Sequence, residues 1–339
     1  MGSMSKTFIY LPPLRKATGG TQVLHQLAAH LHAGGLPVSL VPRESGYEMP
    51  GISGDVPVTP WEELALTPAD LWLVPEGWVN ALAPGLQAGA RTVLYVQNWA
   101  YLFSALPPGV TWDKLQVSFL AVSDPVAWYI RECLGVAAPV LRPGIDLDRF
   151  RAPDRPPAAS PVCVAFMPRK NKALAAQVRA MFEARAARLP GAPAVEWLPI
   201  EGLDQDGVAA ALGRAHIFLA MGYPEGCPLP PLEAMACGCL VVGFAGLGGF
   251  DYMRQADDLP GAARPWFSLR EVPWGGNGLY AADADVAAVA LALEQAVSWV
   301  AQADPRYVLA LENARATASA YSIAQQRAAA LELWPTLAG

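Results

Sequence analysis

Short apolar runs alternate with longer amphipathic stretches along almost the whole chain. Residues 6–11, 36–42, 70–75, 91–97, 117–123 and 138–144 read as buried strands. Between them, 21–35 and 124–135 carry helical periodicity, the second with Asp124 as its cap and Gly135 closing it. Residues 150–161 are rich in proline and alanine, have no apolar period, and read as a linker. The pattern then restarts, with strands at 162–168, 194–200, 216–222 and 239–244 and helices at 173–189, 206–215 and 229–238. Beyond Tyr280 the pattern is mostly helical, at 283–302, 306–319 and 322–335. Strands that alternate with helices form parallel sheets covered on both faces. The expected fold class is therefore α/β, with two doubly wound Rossmann-like domains at 4–150 and 151–320. The C-terminal helix, 321–339, is expected to pack back on the N-terminal domain. Such sheets bind ligands at the carboxyl ends of their strands, so a cleft that the two domains face is the expected site.

Composition narrows the function classes. The 339 residues are 53% hydrophobic and 16% charged, enough to bury two cores and incompatible with global disorder. The net charge is −6, and acidic groups outnumber basic ones in the first 150 residues as well. A nucleic-acid stripe or a polybasic membrane patch is thereby disfavoured. The five cysteines suggest no disulfide framework and suit a reducing cytoplasm. Cys237 and Cys239 lack the Cys/His partners of a zinc site, so no metal is expected. The opening MGSM reads as a cloning scar ahead of a second start at Met4, with no signal-like segment after it. No apolar run is long enough to span a bilayer, which leaves at most peripheral membrane contact and a cytoplasmic location.

Candidate chemistry concentrates at MGYPEGCPLPPLEAMACGCLVVG, residues 221–243. Pro230 and Pro231 suit the first turn of a helix, where an amide hydrogen is spare, and Glu233 is expected in that turn beside the positive end of the dipole. Glu225 precedes the helix, at the strand end where α/β sheets place ligands. On the residues alone the pair is open to both a structural and a functional reading. At 167–174, MPRKNKAL sets three cations at a helix start, a pattern suited to a diphosphate. Gly19-Gly20 precede the first helix, with Arg15 and Lys16 just before them as acceptor-side cations or solvated loop charges. The run YVQNWAYLF (95–103) follows a strand, and its Trp99, Tyr101 and Phe103 fit either a sugar platform or ordinary packing. All four histidines read as structural. Asp283 and Asp285 fall at a helix cap.

The stretch PEGCPLPPLEAMACGCLVVG resembles the donor-site signature of retaining GT-B glycosyltransferases of the family-4 type, with its E-x7-E pair. VLRPGIDLDRF (140–150), residues 201–226 and residues 276–297 are similar to other blocks of that family, so the second domain is covered nearly throughout. The resemblance implies a metal-independent transfer of a sugar from a nucleotide-diphospho-sugar, UDP- or GDP-linked, with no further cofactor. The acceptor would be a glycan, a lipid-linked glycan or a small molecule, in bacterial surface-glycan or glycoconjugate synthesis. It implies catalytic roles for Glu225, Arg169 and Lys172, with Lys170 able to exchange with Lys172. Gly19, Gly20, Asn98, Lys170, Gly226, Cys227, Leu229 and Glu233 would bind the donor, Glu233 at the ribose. The chain departs from the pattern at Pro228, where a glycine is usual, and has no histidine near 97–98, so Gln97 or Asn98 would have to serve. Rival expectations are another GT-B enzyme, an epimerase or phosphorylase, and a non-catalytic nucleotide-sugar binder.

Overall fold

The computed structural model describes residues 5–13, 18–44, 56–154 and 160–338. Met4, Arg15 and Lys16 lie outside the described residues, as does part of the proline-rich stretch. The chain divides into two compact units, one of residues 1–144 with 323–339 and the other of 145–322. The division falls six residues before the proline-rich stretch, because Ile145 donates its amide to Tyr321 and Phe150 is buried.

In the first unit, β1 (Thr7–Leu11), β2 (Val38–Pro42), β3 (Leu71–Pro75), β4 (Arg91–Val96) and β5 (Ser118–Ala121) form one parallel sheet in the order β2-β1-β3-β4-β5. Their near-continuous apolar sequences follow from burial on both faces. The connecting helices are α1 (Gly19–Ala33), α2 (Ala83–Ala88), α3 (Tyr101–Ser104) and α4 (Asp124–Leu134). Helix α4 is capped by the Ser123 hydroxyl, which accepts from the Val126 amide, rather than by Asp124; Gly135 closes it at φ 69°. The strand expected at 138–144 is reduced to one bridge, between Ala121 and Val140. Pro139 and Pro143 have no amide hydrogen to give a ladder. The C-terminal helix, Ile323–Ala338, packs against α1. Its Trp334 is 2% exposed and donates its indole N–H to the Thr7 hydroxyl at 2.8 Å.

In the second unit, β6 (Val162–Phe166), β7 (Val195–Pro199), β8 (Ile217–Ala220), β9 (Leu240–Phe244) and β10 (Gly278–Ala281) form a second parallel sheet, ordered β10-β9-β8-β6-β7. Helices α5 (Lys172–Ala186), α6 (Gln205–Arg214), α7 (Leu229–Ala236), α8 (Val286–Gln302) and α9 (Pro305–Ala320) accompany it. Sequence periodicity missed β10, whose four residues follow a long irregular segment. Gly243 lies where an added Cβ would come within 1.9 Å of the Ala220 carbonyl oxygen, so glycine is what lets β9 approach β8.

Both units are thus Rossmann-like parallel α/β domains, with α10 (Ile323–Ala338) as the helical tail. Each strand order reverses once, between β1 and β3 in the first sheet and between β6 and β8 in the second. At such a reversal the loops leaving the two central strands diverge to opposite faces and leave a crevice at their carboxyl ends. Among the described residues no single helix is long and apolar enough to cross a membrane. Replacing Trp334 with alanine should cost the first unit about 3–5 kcal/mol, from the cavity and the lost bond to Thr7. Denaturant unfolding followed by fluorescence checks this.

Candidate active site

At the reversal in the second sheet, the chain leaving β6 carries Arg169, Lys170, Asn171 and Lys172, and the chain leaving β8 carries Glu225. Asn171 adopts the left-handed conformation, φ 52° and ψ 51°, which asparagine tolerates better than most residues. Its side-chain amide donates to the carbonyls of Met221, at 2.7 Å, and Tyr223, at 3.4 Å. Helix α5 is therefore pinned at its start to the end of β8. The same turn brings the Lys170 ammonium onto the Glu225 carboxylate as a hydrogen-bonded ion pair. Arg169 and Lys172, on either side, are exposed and have no hydrogen-bond or ion-pair partner among the described residues.

The backbone of Glu225 is strapped into a second loop. Its amide donates to Gly246 and its carbonyl accepts from Gly248. An added Cβ on Gly248 would lie 2.1 Å from the Gly226 carbonyl oxygen, so the two loops touch backbone to backbone. The Gly246 amide is in turn held by the Asp283 carboxylate at 2.8 Å. Gly226 and Cys227 are buried, and Leu229 begins α7 half-exposed. Pro228 sits at the cap of that helix and makes no side-chain cap bond. Its carbonyl accepts the hydroxyl of the fully buried Tyr252 at 2.6 Å, which fixes the turn from below.

Glu233 occupies the fifth position of α7, in the second turn and not the first, because the helix begins at Leu229. Pro230 and Pro231 fill the second and third positions, so this helix start has few amides to offer an anion. Glu233 is half-exposed at its surface and has no hydrogen-bond partner among the described residues. Burial of its carboxyl raises the pKa to about 7, against the lowering influence of Arg149. Arg149 is already engaged by Asp206 at 2.7 Å and by Asp146 at 3.5 Å. The second unit thus contains one carboxylate neutralised by a lysine and another, half-buried, whose surroundings favour its uncharged form.

In the first unit, Thr18 caps α1 in a reciprocal box with Thr21, and Gly19 and Gly20 open the helix. An added Cβ on Gly20 would come within 2.4 Å of the Gln97 side-chain oxygen. Gln97 and Asn98 both donate backbone amides, at 2.9 and 2.8 Å, to Glu76, which leaves β3 at the reversal and is 5% exposed. The Asn98 side-chain oxygen accepts from the Ala100 amide at 3.1 Å, closing a local turn. Trp99 and Phe103 pack on Tyr129 of α4, while Tyr101 is exposed. His30 bonds Gln326, and His216 accepts from the Cys163 amide; burial lowers His25 to about 4, which keeps it neutral. Asp285 caps α8 and Asp204 caps α6. The Cys239 thiol points at main-chain carbonyls, and among the described residues no three His, Cys, Asp or Glu side chains converge.

No protein-family model matches the sequence. Over 238 residues, covering 68% of this chain and 70% of the relative, it is 26% identical to an alpha-1,6-glucosyltransferase of Actinobacillus pleuropneumoniae serotype 7 (strain AP76). The crystal structure of a glycosyltransferase from Rickettsia africae ESF-5 matches with a TM-score of 0.66 at 13% identity, over 98% of both chains. The catalytic domain of starch synthase IV from Arabidopsis thaliana, bound to ADP and acarbose, matches with a TM-score of 0.64 at 12% identity, over 99% of both. At such identities the solved structures show the shared fold, that of GT-B glycosyltransferases. These likenesses support a glycosyltransferase.

Asp283, expected at a helix cap, instead holds the Gly246 amide, while Asp285 caps α8. Tyr252, which the sequence left unmarked, acts on a main-chain carbonyl far away in sequence, for which no local pattern exists. Glu76 had a local signal, a lone carboxylate directly after a buried strand. Burial raises its pKa to about 7, although the backbone hydrogen bonds of Gln97 and Asn98 pull it down. The native state therefore binds more protons than the unfolded chain between about pH 4.5 and 7, and stability falls as pH rises through that window. The full contribution of such a shift is about 3 kcal/mol. Glu76→Gln should flatten the pH dependence of the first unit's stability. Denaturation at about pH 5 and about pH 8, in the wild type and the variant, measures the difference.

Proposed function

We propose that this chain is a retaining, metal-independent glycosyltransferase that moves a hexosyl group from a nucleotide-diphospho-sugar to an acceptor hydroxyl, without a further cofactor. The observation that carries the proposal is the grouping at the β6/β8 reversal. Two exposed cations without partners among the described residues, Arg169 and Lys172, flank a carboxylate that Lys170 holds in place. Cations at a helix start suit a diphosphate whose charge grows as the glycosidic bond breaks, and a fixed carboxylate suits sugar hydroxyls. The donor is UDP- or GDP-linked. A glucosyl group is the first choice, since the curated relative bears that activity in its name.

In this mechanism the acceptor oxygen bonds to the anomeric carbon on the face from which the diphosphate departs. The acceptor proton passes to the leaving diphosphate oxygen, so the configuration is retained and no base is consumed. Arg169 and Lys172 stabilise the departing charge. Lys170 neutralises and orients Glu225 against the sugar, and the Gly226–Leu229 turn lies along it. Glu233, half-buried and without a hydrogen-bond partner among the described residues, accepts the ribose hydroxyls. Gly19, Gly20 and Asn98 keep donor-binding roles in this reading. The acceptor is a glycan, a lipid-linked glycan or a small molecule, and the setting is cytoplasmic synthesis of a bacterial surface glycan or glycoconjugate.

Arg169→Ala should lower kcat/KM at least about tenfold, about 1.4 kcal/mol of transition-state stabilisation, with the fold intact. Unchanged turnover would remove Arg169 from the mechanism. Glu233→Ala should chiefly weaken nucleotide binding, and an unaltered Kd for UDP and GDP by calorimetry would refute its ribose role.

A further inference from the structure

Three loops leave adjacent strands of the second sheet, and a chain of hydrogen bonds joins them. Asp283 follows β10, Gly246 follows β9 and Glu225 follows β8. The Asp283 carboxylate accepts the Gly246 amide at 2.8 Å. The Gly246 carbonyl in turn accepts two amides, from Glu225 at 3.1 Å and from Gly248 at 2.9 Å. The Gly248 amide also reaches the Glu225 carbonyl, at 3.0 Å, so Leu247 stands opposite Glu225 as a parallel bridge. An exposed aspartate beyond the edge strand is thereby connected, through Gly246, to the residue whose carboxylate Lys170 holds. Helix α8 does not need Asp283 at its start, because Asp285 accepts the Ala288 amide at 3.0 Å.

The bond from Gly248 to Gly246 closes a three-residue turn around Leu247, at φ 62° and ψ −59°. This is the strained form of the γ-turn, which residues with a side chain rarely adopt. Ala284, the neighbour of Asp283, is also left-handed, at φ 68°. Among the described residues four non-glycine residues have positive φ. Asn171, Leu247 and Ala284 lie on the loops tied to Glu225, and the fourth, Ala303, ends α8. Such conformations persist only where the surroundings over-determine them, and they gather where a geometry has to be held. Without the Asp283 acceptor the Gly246 amide loses its partner. The turn at Leu247 is then free to relax, which carries the Gly246 carbonyl away from the Glu225 amide.

We propose that Asp283 is a positioning residue for Glu225, acting through Gly246 and the strained turn at Leu247. It touches neither the sugar nor the diphosphate; it fixes the main chain from which the Glu225 carboxylate projects. This inference rests on the transferase reading above, in which Glu225 lies against the donor sugar, and adds a residue which that mechanism leaves out.

The test compares Asp283→Ala with Asp283→Asn, whose side-chain oxygen still accepts the Gly246 amide. Hydrogen exchange of the full chain should show the Glu225, Gly246 and Gly248 amides at least about tenfold less protected in Asp283→Ala, with β8 and β9 unchanged and the asparagine variant close to wild type. Release of UDP from UDP-glucose or of GDP from GDP-glucose, without added acceptor, should fall at least about fivefold in kcat in Asp283→Ala and recover in Asp283→Asn. Affinity for UDP and GDP, measured by calorimetry, should stay the same in both. Unchanged protection of Glu225 in Asp283→Ala overturns the inference. So does full turnover by that variant, or protection lost equally throughout β8 and β9, the mark of a purely structural role. Failure of the transferase reading would appear separately, as a wild type that neither binds nucleotide nor releases it, and exchange at Glu225 would still decide whether Asp283 holds it.

Discussion

The constraint on which the second unit turns is the tie between the start of α5 and the end of β8. Two parallel strands that leave a sheet in opposite directions open a crevice, but nothing in that topology sets the distance between their loops. Here Asn171 sets it, by reaching from a left-handed turn to the Met221 and Tyr223 carbonyls. With that distance fixed, the Lys170 ammonium meets Glu225, and Arg169 and Lys172 are left facing outward. The Gly246–Gly248 loop then closes over the Glu225 main chain from the other side, itself held by Asp283. A carboxylate restrained at both main chain and side chain loses little further freedom when a ligand arrives.

The two glutamates of the 225–233 pair are handled in opposite ways. Glu225 has a cation against it, which offsets the cost of its partial burial. Glu233 has only the field of Arg149, which Asp206 and Asp146 already engage, and burial pushes its carboxyl to about 7. Glu76 in the first unit shows a third treatment: deep burial with two backbone amides in place of a cation, which still leaves its pKa near 7. A formal charge in the sequence therefore says little about the charge a site presents. The neighbours decide it.

Much of the fold was legible in the sequence because buried parallel strands are written as continuous apolar runs, and nearly every such run became a strand. The exceptions have local causes. Residues 138–144 are apolar but carry two prolines, and only a bridge at Val140 forms. Gly278–Ala281 is too short to show a period. Helix α4 takes its cap from Ser123 because that hydroxyl reaches the Val126 amide. At the site, the cationic turn and both glutamates could be read directly, since residue type and position along the chain coincide there. What could not be read was which cation faces Glu225, because Asn171's backbone conformation decides it. Tyr252 was equally hidden, since its role exists only once distant segments meet.

The turn between the two glutamates has one more consequence, and it concerns the unfolded chain rather than the folded one. Prolines at 224, 228, 230 and 231 restrict φ at four of eight consecutive positions. Such a segment samples few conformations before folding, so it gives up less entropy on becoming ordered than a glycine-rich loop would. The usual glycine at 228 would let the turn bend toward a ligand; proline, with its carbonyl anchored by Tyr252, delivers the turn already shaped. The chain has exchanged adaptability for rigidity at this point, and in the proposed donor site the range of sugars that fit against the turn would narrow accordingly.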